Sequence, residues 1–133
     1  MLGEQIKDLK GKIIGQRVLD AEGPTMEISI SAKGSANGIQ INEILSFVYR
    51  PSSQGVLHGE GQGVLMSGES EMATFTAEGI GRITPTSVKW RGSVFLRTGS
   101  SDKLAFLNNV VAVFEADVDT EGNFSEKSWE WKY

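Results

Sequence analysis

The stretch MEISISAKGSANGIQINEILSFVY, residues 26–49, decides the fold. From Met26 to Ala32 every second residue is apolar and the residues between them are polar, which is the period of a strand with one face on a core. The Asn37-Gly38 pair that follows is typical of a type I′ hairpin, because both central residues of that turn need a positive φ. The segment therefore predicts two antiparallel strands joined by a tight turn.

The same period of two recurs along the rest of the chain, for instance over residues 73–83 and 88–97. Clusters of Gly, Asn, Asp, Ser and Pro separate the periodic segments, and these residue types favour turns. Seven such clusters lie at residues 21–24, 35–38, 50–55, 67–70, 84–86, 98–102 and 119–123. Seven turns of this kind delimit eight strands.

Eight strands with short connections predict an all-β fold, whose architecture depends on how the sheet edges are covered. Closure into a barrel removes both edges, whereas two packed sheets keep them. We predict a single domain over residues 1–133, folded as an eight-stranded antiparallel closed β-barrel of the lipocalin-like kind, with a two-sheet sandwich as the alternative. Helical spacing predicts at most two short helical turns, at residues 1–10 and 101–109.

The composition argues against several classes of function. Thirteen basic and seventeen acidic side chains give a net charge of −4, which disfavours nucleic acid as a partner. The chain has no cysteine and a single histidine, His58, so we expect neither a metal site nor a cofactor. No apolar run is long enough to cross a bilayer and residues 1–10 lack the apolar core of a secretory signal, so we expect no membrane insertion and a cytoplasmic location.

Glu43 is the most informative charged residue, because it shares strand parity with apolar residues on both sides, Ile41 and Leu45. A carboxylate on that face is buried, and burial disfavours its charged form. Glu43 then either has a raised pKa suited to proton transfer or pairs with an arginine as part of the structure. A bulge near Asn42 is the remaining alternative and places Glu43 outside.

Glycines and asparagines mark two further places in the barrel. Gly59, Gly61 and Gly63 fall on one face of a strand, where they either clear a lumen for a ligand or allow the strand to coil, with a large aromatic such as Trp90, Trp129 or Trp131 covering the gap. Asn108 and Asn109 interrupt an apolar run, so that they either form a bulge or present amide groups to a ligand at the barrel mouth.

The second half of the chain carries motifs that resemble a known family. These motifs are VKWRGSVFLRT at residues 88–98, KLAFLNN at 103–109, Phe114-Glu115, residues 119–123 and WEWK at 129–132. They resemble an uncharacterised bacterial family that belongs with the allene oxide cyclase-like barrels, and the likeness extends over about residues 59–133. The resemblance implies a barrel, a lumenal ligand and a homo-oligomer. It assigns no catalytic residue, because the catalytic residues of allene oxide cyclase, which is an isomerase, have no match in this sequence.

The function that these features favour is the binding of a small apolar or amphipathic molecule in the barrel lumen. The expected lining consists of Phe47, Phe75, Trp90, Phe114, Trp129 and Trp131. One polar end of the ligand is expected to be fixed by Glu43, Asn108 or Arg91.

Two alternatives remain open from the sequence. An isomerase or cyclase acting on a hydrophobic substrate uses the same lumen and needs Glu43 or Glu115 inside as the proton-transferring carboxylate. A structural homo-oligomer has a packed interior and associates through outward apolar residues such as Phe95, Val111 and Val113.

Overall fold

The computed structural model describes residues 1–68 and 70–133, and nearly all of them form one sheet. The strands are β1 (Leu2–Asp20), β2 (Thr25–Ala36), β3 (Ile39–Ser53), β4 (Val56–Ser67), β5 (Met72–Ile83), β6 (Ser87–Thr98), β7 (Val110–Asp119) and β8 (Asn123–Trp131). Each strand pairs antiparallel with the next, and β8 pairs with β1 to close a barrel. The predicted eight-stranded closed barrel is confirmed, and the sandwich alternative is wrong.

The predicted turns all fall at strand connections. Within the segment 67–70, Glu69 lies outside the described residues. The hairpin between β2 and β3 is formed as predicted, because Asn37 and Gly38 have φ angles of 50° and 83°. Its two strands pair without a bulge from the turn outward, so the register that places Glu43 inside is continuous.

The predicted helix at residues 1–10 is wrong, because this segment is the beginning of β1. The pairing of β1 with β8 shifts between Gln5 and Lys7, and both Ile6 and Lys7 are buried as a result. A bulge of this kind breaks the alternation of a strand. The spacing of Leu2, Ile6 and Leu9 therefore looks helical in the sequence although the backbone is extended.

The connection between β6 and β7 contains a single turn of 3-10 helix, Ala105–Leu107, within the second predicted helical segment. Leu104 and Leu107 of this connection are fully buried in the core at one end of the barrel. Asn108 ties the connection to β6, since its Oδ1 accepts a hydrogen bond of 3.2 Å from the backbone N–H of Thr98. Asn109 has a positive φ of 57°, so the chain changes direction at this asparagine pair, after the 3-10 turn and before the start of β7 rather than at a strand bulge.

The inward glycines make room for aromatic rings. A Cβ on Gly59 would meet the ring of Phe47, and a Cβ on Gly63 would meet the ring of Phe75. Trp90 lies against Gly81 in the same way, with ring atoms 2.9 Å from the position of a Cβ. Close approach of a ring leaves no space for a side chain at these strand positions.

Gly92→Ala tests this packing where the neighbour is backbone. A Cβ on Gly92 would collide with the carbonyl oxygen of Glu78 and lie 2.7 Å from the Cα of Gly79. We expect a loss of about 1–3 kcal/mol in the free energy of unfolding, measured by urea denaturation. Gly15→Ala is the matched control, because nothing lies within 4 Å of its Cβ position, and we expect a change within about 0.5 kcal/mol. Equal effects in the two variants contradict the packing argument.

Candidate binding site

Three ionisable side chains meet inside the barrel and form what we call the buried cluster: Lys7 of β1, Glu43 of β3 and Glu126 of β8. Their exposed fractions are 1%, 0% and 7%. The Nζ atom of Lys7 lies 2.9 Å from Oε1 of Glu43 and 2.9 Å from Oε2 of Glu126. One ammonium group thus bridges two carboxyl groups in the core.

Strand register brings these residues together. On β1, the bulge after Gln5 turns Lys7 inward, opposite Ser128 of β8. Ala32 of β2 is paired with Glu43, and because alanine is small, β2 leaves room for side chains from its two neighbouring strands to meet. The hydroxyl of Ser128 donates a hydrogen bond of 2.7 Å to Oε2 of Glu126, which fixes that carboxylate.

The two carboxyl groups differ in pKa. Burial and the neighbouring Glu126 raise the pKa of Glu43 to about 8, and Lys7 offsets only part of this effect. Burial alone would raise the pKa of Glu126 as well, but the charge of Lys7 and the hydrogen bond from Ser128 bring it below its usual value. At neutral pH the cluster is therefore an ammonium, a carboxylate and a carboxylic acid.

The pKa of Lys7 is raised above its ordinary value, although burial on its own would lower it. The charges of Glu126 and Glu43 outweigh the burial effect. Lys7 thus remains a cation. Besides the two carboxyl groups, the ammonium group of Lys7 contacts the ring of Phe75, whose centroid lies 4.8 Å from Nζ.

A cavity of about 50 Å³ lies in the lumen next to the cluster. Lys7 and Glu126 form its polar end, whereas Glu43 does not line it. The apolar lining includes Phe47, Phe75, Trp90, Phe114, Val118 and Phe124. A water molecule needs roughly 10–15 Å³ of such space, so the cavity holds a group of only a few heavy atoms.

Further space lies at the barrel rim, in a depression of about 470 Å³ between the β5–β6 and β7–β8 connections. Val118 borders both this depression and the lumenal cavity. Tyr49 lies in the depression, and partial burial raises the pKa of its hydroxyl. Its ring is 6.1 Å from the ring of Trp90, which lines the cavity. Tyr49 and Val118 thus mark the end of the barrel where the rim depression approaches the cavity, and we call this end the mouth.

The structure places half of the sequence-predicted site residues inside the barrel. Glu43 is fully buried in the cluster, and Phe47, Phe75, Trp90 and Phe114 line the cavity. The partner of Glu43 is a lysine and not the expected arginine.

For four of the others, the expected position in the lumen is wrong: Arg91, Glu115, Trp129 and Trp131. Arg91 and Glu115 face each other across β6 and β7 on the outer surface, 3.8 Å apart and more than half exposed. Trp131 is 56% exposed, and Trp129 lies on the same outer face. The reason is strand parity, because successive residues of a strand point to opposite faces. Arg91, Glu115 and Trp129 each come directly after a buried inward residue, and Trp131 has the same parity as Trp129. Asn108 is exposed in the β6–β7 connection.

The sequence interpretation missed Lys7, Glu126 and Ser128. Strand parity contained the signal for two of them, because Glu126 and Ser128 alternate with Phe124 on the inner face of β8. Lys7 alternates with Leu9 in the same way, but the helical interpretation of residues 1–10 concealed it.

Comparison with known proteins supports the fold alone. No family model and no curated protein matches the chain. A similar solved structure is the conserved protein of unknown function from Rhodopseudomonas palustris, with a TM-score of 0.76 and 11% sequence identity over 98% of this chain and 99% of that one. Within residues 1–68 and 70–133, no helix is long and apolar enough to span a membrane.

Proposed function

We propose that this barrel binds a small amphipathic molecule in its lumen. The observation that carries the proposal is the cavity with a charged end and aromatic walls. Ligand sites in proteins are typically concave and apolar, with a few polar groups that fix orientation. Here Lys7 and Glu126 supply the polar groups, and the rings supply the apolar wall.

The size of the cavity limits the part of the ligand that enters it. Drug-sized ligands occupy about 300–1,000 Å³, far more than the lumenal cavity offers. The head group and the first few carbon atoms fit beside Glu126, and the rest of the ligand extends past Val118 to the mouth at Tyr49. A narrow, unbranched molecule suits this path.

Native mass spectrometry of gently purified protein tests the proposal directly. The expected result is a complex that is heavier than the protein alone by less than the mass of a membrane lipid. The bound molecule is retained at low collision energy and released at higher energy. Lumenal binding is contradicted if no bound mass is found and if the protein also fails to bind added butylamine, butan-1-ol and butyrate.

Ala116→Leu provides a variant that fills the site. Ala116 lines the cavity, so a leucine side chain there occupies the space of the ligand. We expect the retained mass to disappear while the circular dichroism spectrum of the barrel is kept. Val113→Leu is the matched control, since Val113 lies on the outer face of the same strand and the retained mass is expected to persist. Loss of the mass in both variants, or in neither, argues against the lumenal site.

Isomerisation is a second candidate, favoured by one specific observation. Glu126 lines the cavity, and its lowered pKa makes it a carboxylate, so a group able to accept a proton faces the ligand. Incubating the released molecule with fresh protein tests it, because an isomerase yields a product of equal mass and different chromatographic retention.

A further inference from the structure

We propose that the lumenal ligand is a small organic ammonium, whose cationic nitrogen contacts the carboxylate of Glu126 and whose apolar body lies among the aromatic rings. This inference rests on the proposed function and names the chemistry of the head group. Two features of the lumen support it: the count of charges in the buried cluster and the nature of the walls.

The lumen contains one more carboxyl group than it contains cations. Among the described side chains, the buried ionisable ones are Lys7, Glu43 and Glu126, with the partly buried Tyr49 at the mouth. Lys7 balances one carboxylate, and in the empty site the proton on Glu43 keeps the other carboxyl group neutral. An ammonium ligand replaces that proton as the second positive charge, so the occupied core remains neutral. A carboxylate ligand adds a negative charge that nothing in the core compensates, and an unpaired charge there is costly.

The geometry assigns different tasks to the two carboxyl groups. Glu126 faces the cavity and is within reach of a ligand, whereas Glu43 contacts Lys7 from a position outside the cavity lining. Oε2 of Glu43 meets no hydrogen-bond donor among the described residues. Because Lys7 is already 2.9 Å from Glu43, it remains paired there when Glu126 turns to the ligand. The occupied site then has two carboxylates and two cations.

The walls favour a cation as well. Aromatic faces carry a negative potential that attracts ammonium groups. Lys7 already uses this attraction, with its Nζ 4.8 Å from the centroid of Phe75. Phe47, Trp90 and Phe114 present further rings to the same cavity.

Ammonium binding requires Glu43 to release its proton to solvent. The charged groups that face Glu43 are Lys7 from β1 and Glu126 from β8, while its neighbours on β2 and β4 are Ala32 and Leu65, which do not ionise. Since the pKa of Glu43 is about 8, ammonium affinity rises with pH below that value and levels off above it.

Nuclear magnetic resonance titrations with butylamine, butan-1-ol and butyrate test the proposal. We expect butylammonium to bind about 100-fold more tightly at about pH 9 than at about pH 6, with butan-1-ol nearly unchanged and butyrate weakest. An affinity for butylammonium that does not depend on pH, or tighter binding of butyrate, overturns the proposal. Binding of butan-1-ol without butylammonium also overturns it but leaves lumenal binding intact, whereas failure of all three probes contradicts both.

Glu43→Gln separates the charge of Glu43 from its shape. Glutamine keeps the neutral form of this side chain, so the variant is expected to fold, as its melting temperature verifies. At about pH 9 we expect butylammonium to bind about tenfold or more weakly than in the unmodified protein, and its pH dependence to disappear. Glu60→Gln is the control, because Glu60 is an exposed carboxylate on the outer face, and we expect the full pH dependence. A pH dependence retained in Glu43→Gln overturns the proposal.

Discussion

Replacing Lys7 with methionine is expected to lower the free energy of unfolding by about 3–5 kcal/mol at neutral pH. The physical reason is that Lys7 is the cation for two buried carboxyl groups, each 2.9 Å from its Nζ. Removing one partner of a buried pair leaves the other charge in the core without compensation. Urea denaturation followed by circular dichroism measures the loss.

Lys89→Met is the matched control for this substitution. Lys89 also pairs with a carboxylate, Asp117, but that pair is 3.4 Å long and about half exposed. Exposed pairs contribute only about 0–1 kcal/mol, so we expect a correspondingly small change.

Where Lys7→Met fails to fold, the triple variant Lys7→Met, Glu43→Gln, Glu126→Gln is expected to recover the barrel, because no buried charge remains. Equal losses for Lys7→Met and Lys89→Met contradict the assignment.

The stability of the unmodified protein is expected to fall by a few kcal/mol as the pH rises from about 5 to about 9. The pKa of Glu43 is about 8 in the folded protein, against an ordinary value of 4.5. Between these values the folded state binds a proton that the unfolded state does not, so the contribution is complete below about pH 4.5 and is lost as the pH rises through about 8. Thermal unfolding at a series of pH values measures the decline.

Within the buried cluster, Glu43 alone acts in this range of pH. The lowered pKa of Glu126 makes its contribution disappear only below its ordinary value of 4.5, and the raised pKa of Lys7 makes its contribution disappear only above 10.5. Glu43→Gln is therefore expected to flatten the decline, while Glu60→Gln keeps it. A decline of equal size in Glu43→Gln assigns the effect to another group.

Much of the fold follows from local patterns. The alternation from Met26 to Ala32 and the Asn37-Gly38 turn specify a hairpin without reference to the rest of the chain. The same alternation placed Glu43 on an inward face, where the structure has it. A carboxylate that lies on the apolar face of a strand can be recognised from the sequence of that strand alone.

The cluster as a whole was not accessible to the same reasoning. Lys7 is 36 residues from Glu43 in the sequence, and the two meet across the intervening strand β2. The contact of Lys7 with Glu126 depends on the closure of the barrel between β1 and β8. A bulge at the start of β1 also gave its apolar residues a helical spacing, so this segment was predicted as a helix. Arg91 and Glu115 show the converse error, since they were grouped with the lumen by composition although their parity directs them outward.

The sequence by itself determined most of the strands, their turns and the apolar parity that Glu43 shares, because the two-residue period and the turn residues act over short distances along the chain. Only the tertiary structure decided which inward side chains meet, that a lysine and a second carboxylate join Glu43, and how little space the aromatic rings leave beside them. Closure, register and bulges set those contacts, and each of them depends on strands that are distant in the sequence.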